Sequence, residues 1–151
     1  MWASESIENI ESAKRVTVSI LNELAGLAPE DSRLPKESQP PEPGSIPLRL
    51  IPCDDPHQFI YPGATAVYFH DQTSAQAFYN TANNHLRSQG GWLEKSSPGA
   101  DGEREPKFVS DNGFVVTVRY SEYRGKHMVG IIAFSPCFEM PEDFNYNVEQ
   151  V

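Results

Sequence analysis

Two cysteines and a short polar run beside one of them are the residues in this chain best suited to chemistry. Cys53 and Cys137 stand 84 positions apart, and each directly follows a proline (Pro52-Cys53 and Pro136-Cys137). Neither belongs to a Cys-x-x-Cys pair, which weakens zinc-binding and thioredoxin-like readings. Cys53 precedes the first strand expected in the folded domain and Cys137 follows the last, so a disulfide between them would tie the incoming chain to the end of the sheet. A loop of that length is worth about 4–5 kcal/mol in the chain-entropy picture. Such a bond implies an oxidising, extracytoplasmic compartment. The alternative is a pair of reduced thiols in a cytoplasmic protein.

Cys53-Asp54-Asp55-Pro56-His57 gathers a sulfur, two carboxylates and an imidazole in five residues. Metal coordination needs three or four of these to converge, which a proline in a tight run opposes, and a disulfide would remove Cys53 altogether. The run is expected to be a turn whose side chains cap backbone amides. His70-Asp71 stands at a strand-to-helix junction, where catalytic groups often lie, and supports the alternative of a hydrolase or metal-dependent enzyme. Asp71 is equally placed to bond amides of the first helical turn. No Gly-x-Ser-x-Gly surrounds a serine. Gly90-Gly91 closes a helix, the wrong polarity for an anion cradle. No catalytic, cofactor-binding or metal-ligating residue is assigned on these grounds, and no cofactor is expected.

Charge narrows the partners. The 151 residues carry 21 acids and 12 bases, a net charge of −9. Nucleic-acid binding needs a basic footprint, and none is visible, so no nucleic-acid partner is expected. No segment reaches the apolar length of a membrane span, and no signal-peptide pattern opens the chain. A membrane tether upstream of Ser4 would be compatible with that reading.

The elements that must position these residues follow from periodicity. Residues 1–27 are expected to contain an amphipathic helix from Ser4 to Leu27, with Ile7, Ile10, Ala13, Thr17, Ile20, Leu24 and Leu27 on one face. Residues 28–62 hold nine of the 13 prolines and should form an extended arm. Residues 63–138 should form an α+β domain. Ala64–His70 alternates like a strand, and a helix over Ser74–Ser88 begins with a Thr73/Gln76 capping box. Short strands follow at Trp92–Lys95 and Lys107–Ser110. Asn112-Gly113 turns the chain into Phe114–Tyr120, and Arg124-Gly125 into His127–Phe134. The expected fold is a mostly antiparallel sheet of four or five strands with one helix on a face, preceded by a separate amphipathic helix and a Pro-rich arm. Residues 139–151 read as an acidic tail.

The layout points to a non-enzymatic, extracytoplasmic binding or interaction module of the cell envelope, tethered through its N-terminus and acting on a protein partner. Ile7, Ile10, Ile20, Leu24, Tyr68, Trp92 and Tyr123 are the candidate interaction surface. Two further alternatives are a pilin-like or other assembly subunit built on the first helix, and a small cytoplasmic acidic inhibitor of a basic partner.

Overall fold

Period-two alternation of apolar residues in the second half of the chain builds the central sheet. The computed structural model describes residues 7–99 and 102–151. The expected helix start at Ser4 lies outside the described residues, as do Ala100 and Asp101. Two helices, α1 (Ile10–Ala25) and α2 (Gln72–Ser88), accompany eight strands. The strands are β1 (Ile51–Pro52), β2 (Gln58–Ile60), β3 (Pro62–Phe69), β4 (Trp92–Pro98), β5 (Arg104–Ser110), β6 (Val115–Tyr123), β7 (Lys126–Phe134) and β8 (Phe138–Glu139). Five of them form one sheet in the order β3-β7-β6-β5-β4, every neighbour antiparallel, which is the α+β architecture expected. β7, the most apolar strand, is paired on both sides. α2 carries the chain from one edge of the sheet to the other.

Side chains alternate across a strand, so one parity of residues faces the helices. Val67, Phe69, Phe108, Val116, Val118, Val129, Ile131 and Ala133 form that face and are buried against Ala75, Phe78, Ala82 and Leu86 of α2 and Val16, Ile20, Leu21 and Leu24 of α1. Both helices therefore cover the same side.

α1 is shorter than the expected Ser4–Leu27 span. The Asn9 side chain accepts the Ser12 amide at 2.9 Å while the Ser12 hydroxyl accepts the Asn9 amide at 3.3 Å, a reciprocal cap that starts the helix at Ile10. Ile7 thus precedes the helix. The apolar face is also broader than the expected stripe, because Val16 and Leu21 are buried beside Ile20 and Leu24. α1 lies directly on β3: a Cβ placed on Gly63 would run into the Thr17 methyl group, so only glycine permits this approach. Asp71 caps α2, so the helix starts two residues ahead of the expected Ser74 start with its Thr73/Gln76 capping box.

The arm is not extended throughout. It contains a single 3-10 turn at Lys36–Ser38 and the strands β1 and β2, which join β8 in a second, three-stranded sheet. Pro52 is tolerated because β1 is an edge strand, paired only with β2. Phe59 and Phe138 pair across this sheet and pack with Ala13, Leu50 and Tyr61; Ile10, Met140 and Phe144 close around them. The Phe144 ring meets Phe59 edge-on with centroids 5.2 Å apart. Leu48 and Val151 exchange backbone hydrogen bonds at 3.0 and 2.8 Å, so the middle of the arm and the tail hold each other. Cys53 and Cys137 form the expected disulfide, with Cα atoms 6.5 Å apart, joining the end of β1 to the residue before β8.

Two stability measurements follow. Replacing both cysteines by serine removes the cross-link across an 84-residue separation and should lower unfolding free energy by about 4–5 kcal/mol in urea titration. Leu24→Ala, in the wholly buried face of α1, should cost about 2–5 kcal/mol in the same single transition that unfolds the sheet.

Candidate functional site

Cys53 to Gln58 form the tight turn between β1 and β2: the Cys53 amide donates to the Gln58 carbonyl at 2.9 Å, and the Gln58 amide to Asp55 at 3.3 Å. His57 takes a left-handed backbone with φ 63°, and Asp54, Asp55 and His57 are exposed. The run is a turn, as expected. Among the described residues no three His, Cys, Asp or Glu side chains are gathered to hold a metal ion.

His70 and Asp71 follow β3. One Asp71 carboxylate oxygen accepts the Ser74 amide at 2.7 Å and so caps α2. That hydrogen bond holds the Asp71 carboxyl below its ordinary range, with attraction to His127 and His70 adding to it. The His70 backbone amide reaches the Ser32 carbonyl at 3.5 Å, while its ring is solvent-facing. Among the described residues no hydrogen bond joins the His70 and Asp71 side chains. The structure adds a neighbour that sequence spacing did not offer. His127 lies opposite Phe69 in the β3–β7 register, and its Nδ1 shares a 2.9 Å hydrogen bond with the Tyr120 hydroxyl beneath stacked rings. Fifty-seven positions of chain separate His70 from His127, so only strand pairing brings them to one end of the sheet.

The expected interaction residues divide. Ile20 and Leu24 are fully buried in the main core, a correction to their place on a surface: burial against the sheet consumes the face they occupy. Ile7 and Ile10 are partly buried against the smaller core and Trp92 against the main one. Tyr68 and Tyr123 remain on the sheet face opposite the helices, Tyr123 at 64% exposure.

Among the described residues no helix or strand lies over that opposite face. By strand parity it carries Ala64, Ala66 and Tyr68 of β3, Met128, Ile132 and Phe134 of β7, Val115 and Thr117 of β6, Val109 of β5 and Leu93 of β4. Leu93 is 63% exposed. Among the described strand residues, Lys95, Lys107, Arg119 and Lys126 stand on this face against one acid, Glu105, which binds Arg119 at 2.9 Å. Lys95 and Lys107 are directly opposite each other, a like-charge pairing that disfavours the isolated sheet. Lys126 Nζ lies 5.7 Å from the Tyr68 ring centre. A molecule acidic overall thus keeps an apolar face interleaved with bases.

Beside this face runs a slot between the free edge of β3 and the proline-rich arm. Its larger part has a volume of about 950 Å³ and is lined by Ala25, Asp31, Pro40, Glu42, Ala66 and His70 among others. An adjoining part of about 320 Å³ continues past Pro47 to Tyr61 and Ala64. At the upper end Gln39 seals the edge. Its amide nitrogen donates to the Tyr68 carbonyl at 3.0 Å and its amide oxygen accepts the Tyr68 N–H at 2.9 Å, so the side chain imitates the peptide group of a missing strand. In sequence Gln39 is one polar residue in a linker, and nothing marks it.

The chain matches no protein-family model, no curated protein and no solved structure.

The Asp71 cap makes a pH-dependent contribution. Folding lowers its pKa below the ordinary 3.8, so the stabilisation is complete above the unfolded value and is lost as pH falls through the folded one. Asp71→Asn keeps a capping oxygen without the charge. Wild type should be the more stable of the two near about pH 7, and thermal melts should show that advantage vanishing as the medium is acidified below the aspartate range.

Proposed function

We propose that this chain is a non-enzymatic interaction module working outside the cytoplasm, with a protein partner covering the helix-free face of its sheet. One observation carries the binding part: among the described residues the five-stranded sheet is packed by helices on one side only, and the other side presents Leu93, Val109, Val115, Ile132 and Phe134 in neighbouring positions. Contiguous apolar surface rimmed by charge is the usual mark of an interaction site. The bases among these residues favour a partner surface that is apolar and acidic, and they are set apart from a molecule otherwise negative, which steers the approach.

The compartment part rests on the Cys53–Cys137 disulfide, a bond that persists in oxidising surroundings. No helix among the described residues is long and apolar enough to cross a membrane. The apolar side of α1 is packed on its own sheet, which supports a role for this stretch of helix within the fold.

The reading is tested on the intact chain carrying a photoreactive amino acid in place of Ile132. It should crosslink to a protein of the envelope or secreted fraction, with both cysteines protected from alkylation unless reductant is added. Crosslinking confined to cytoplasmic proteins, none in any fraction, or free thiols at both positions in material from the native host overturns it.

A further inference from the structure

The edge of β3 is an unfinished piece of sheet. The N–H and C=O of Tyr68 both point away from β7, because they are bound by Gln39 and by the Leu34 amide, the latter at 2.9 Å. Tyr61, by contrast, exchanges its backbone groups with Ser135 on the β7 side, through the Ser135 amide at 3.1 Å and the Ser135 hydroxyl at 2.9 Å. In an antiparallel pair these two orientations alternate residue by residue. The backbone groups of Ala64 and Ala66 therefore point the same way as those of Tyr68, outward into the slot. Among the described residues no arm group hydrogen-bonds to them.

The arm cannot fill this position itself. The opposing wall is Pro40-Pro41-Glu42-Pro43, followed by Pro47. Prolines have no N–H to give, so this segment stands beside the strand without pairing to it. Natural sheets usually close such an edge, since it recruits other chains. Here the upper end is sealed by Gln39, and Pro62 begins the strand below, which leaves a short stretch of ladder between walls. Alanine at 64 and 66 keeps the approach open. Leu21 and Ala25 of α1 belong to the lining on the helix side. At the lower end Tyr61 also belongs to the lining; its hydroxyl has no hydrogen-bond partner among the described residues. Charge along the slot comes from Glu30, Asp31 and Glu42 against Arg33 and Lys36, with Glu30 and Arg33 at 3.9 Å from one another.

We infer that the slot takes an extended segment of a partner protein as a sixth strand on β3, its backbone bonded to Ala64 and Ala66, with an apolar side chain toward α1 and a basic one toward Asp31 and Glu42. Main-chain pairing supplies the affinity in this mode, and the alternate side chains supply the selection. The inference rests on the protein-binding reading above and names the form in which part of the partner binds. The added strand would extend the open face by one strand, making edge and face a continuous surface.

The probes are two synthetic peptides, acetyl-Lys-Val-Thr-Val-Lys-amide and acetyl-Glu-Val-Thr-Val-Glu-amide, titrated into the intact oxidised protein while amide exchange is followed by NMR. The basic peptide should slow exchange of the Ala64 and Ala66 amides by about tenfold or more and bind at least about tenfold tighter than the acidic one. Ala66→Pro removes an outward N–H that no native strand uses, a change edge strands tolerate, and should abolish the effect with the near-ultraviolet spectrum unchanged. Glu42→Lys leaves the edge intact and should reverse the preference between the peptides. Absence of protection with either peptide, or binding that survives Ala66→Pro, overturns the inference. If the Ile132 photoprobe still captures its envelope protein in that case, the face reading stands and only strand addition fails; if it does not, both fail.

Discussion

The seating of α1 on β3 and β7 is the contact on which the rest of this structure depends. It brings Val16, Ile20, Leu21 and Leu24 onto a sheet face that α2 alone leaves partly bare, and it requires a glycine at position 63 for the Thr17 methyl to fit. Once α1 is in place, its first turns supply Ala13 and Ile10 to the smaller core, so the β1-β2-β8 sheet has something to pack on. The arm must then travel the length of α1 to reach that sheet, and in doing so passes along the outer edge of β3. The slot is a by-product of this path.

The disulfide acts at the far end of the same route. It joins the β1–β2 turn to the chain entering β8, next to the Phe59–Phe138 pair, where the packed cluster is small. A core of that size gains little from burial alone, and restricting the unfolded chain compensates. The paired arm and tail residues Leu48 and Val151 close the same region with hydrogen bonds. Strong covalent closure at one end and a proline wall at the other leave most of the β3 edge, like the outer edge of β4, without a pairing strand.

Placing both helices on one side has a functional consequence. A two-layer α+β unit always has a second sheet face, and polar residues on it would make that face ordinary surface. Here Val109, Val115, Ile132 and Phe134 occupy it, and the bases are grouped there although acids dominate the whole chain. The His70, Asp71, His127 and Tyr120 group lies at the end of the sheet nearest α2, where Asp71 serves the helix terminus.

Local patterning determined the parts of this protein whose signals are short-range. The β3–α2–β4 order, the turns at Gly113 and Gly125, and the burial of Val116, Val118 and Ile131 are all legible in alternation, turn residues and caps. The disulfide was legible because both cysteines flank the strand-rich segment. What only the tertiary structure decided are the contacts that sequence separation hides. These are the burial of Ile20 and Leu24 against the sheet, the recruitment of residues 138–139 into a second sheet with the arm, the meeting of His127 with the end of β3, and the imitation of a strand by Gln39. Each depends on which surfaces meet once the chain is compact, and a period or a turn signal carries no information about what lies across a gap of tens of residues. The slot belongs to this second class, because it is made of the space between two segments that each read as ordinary on their own.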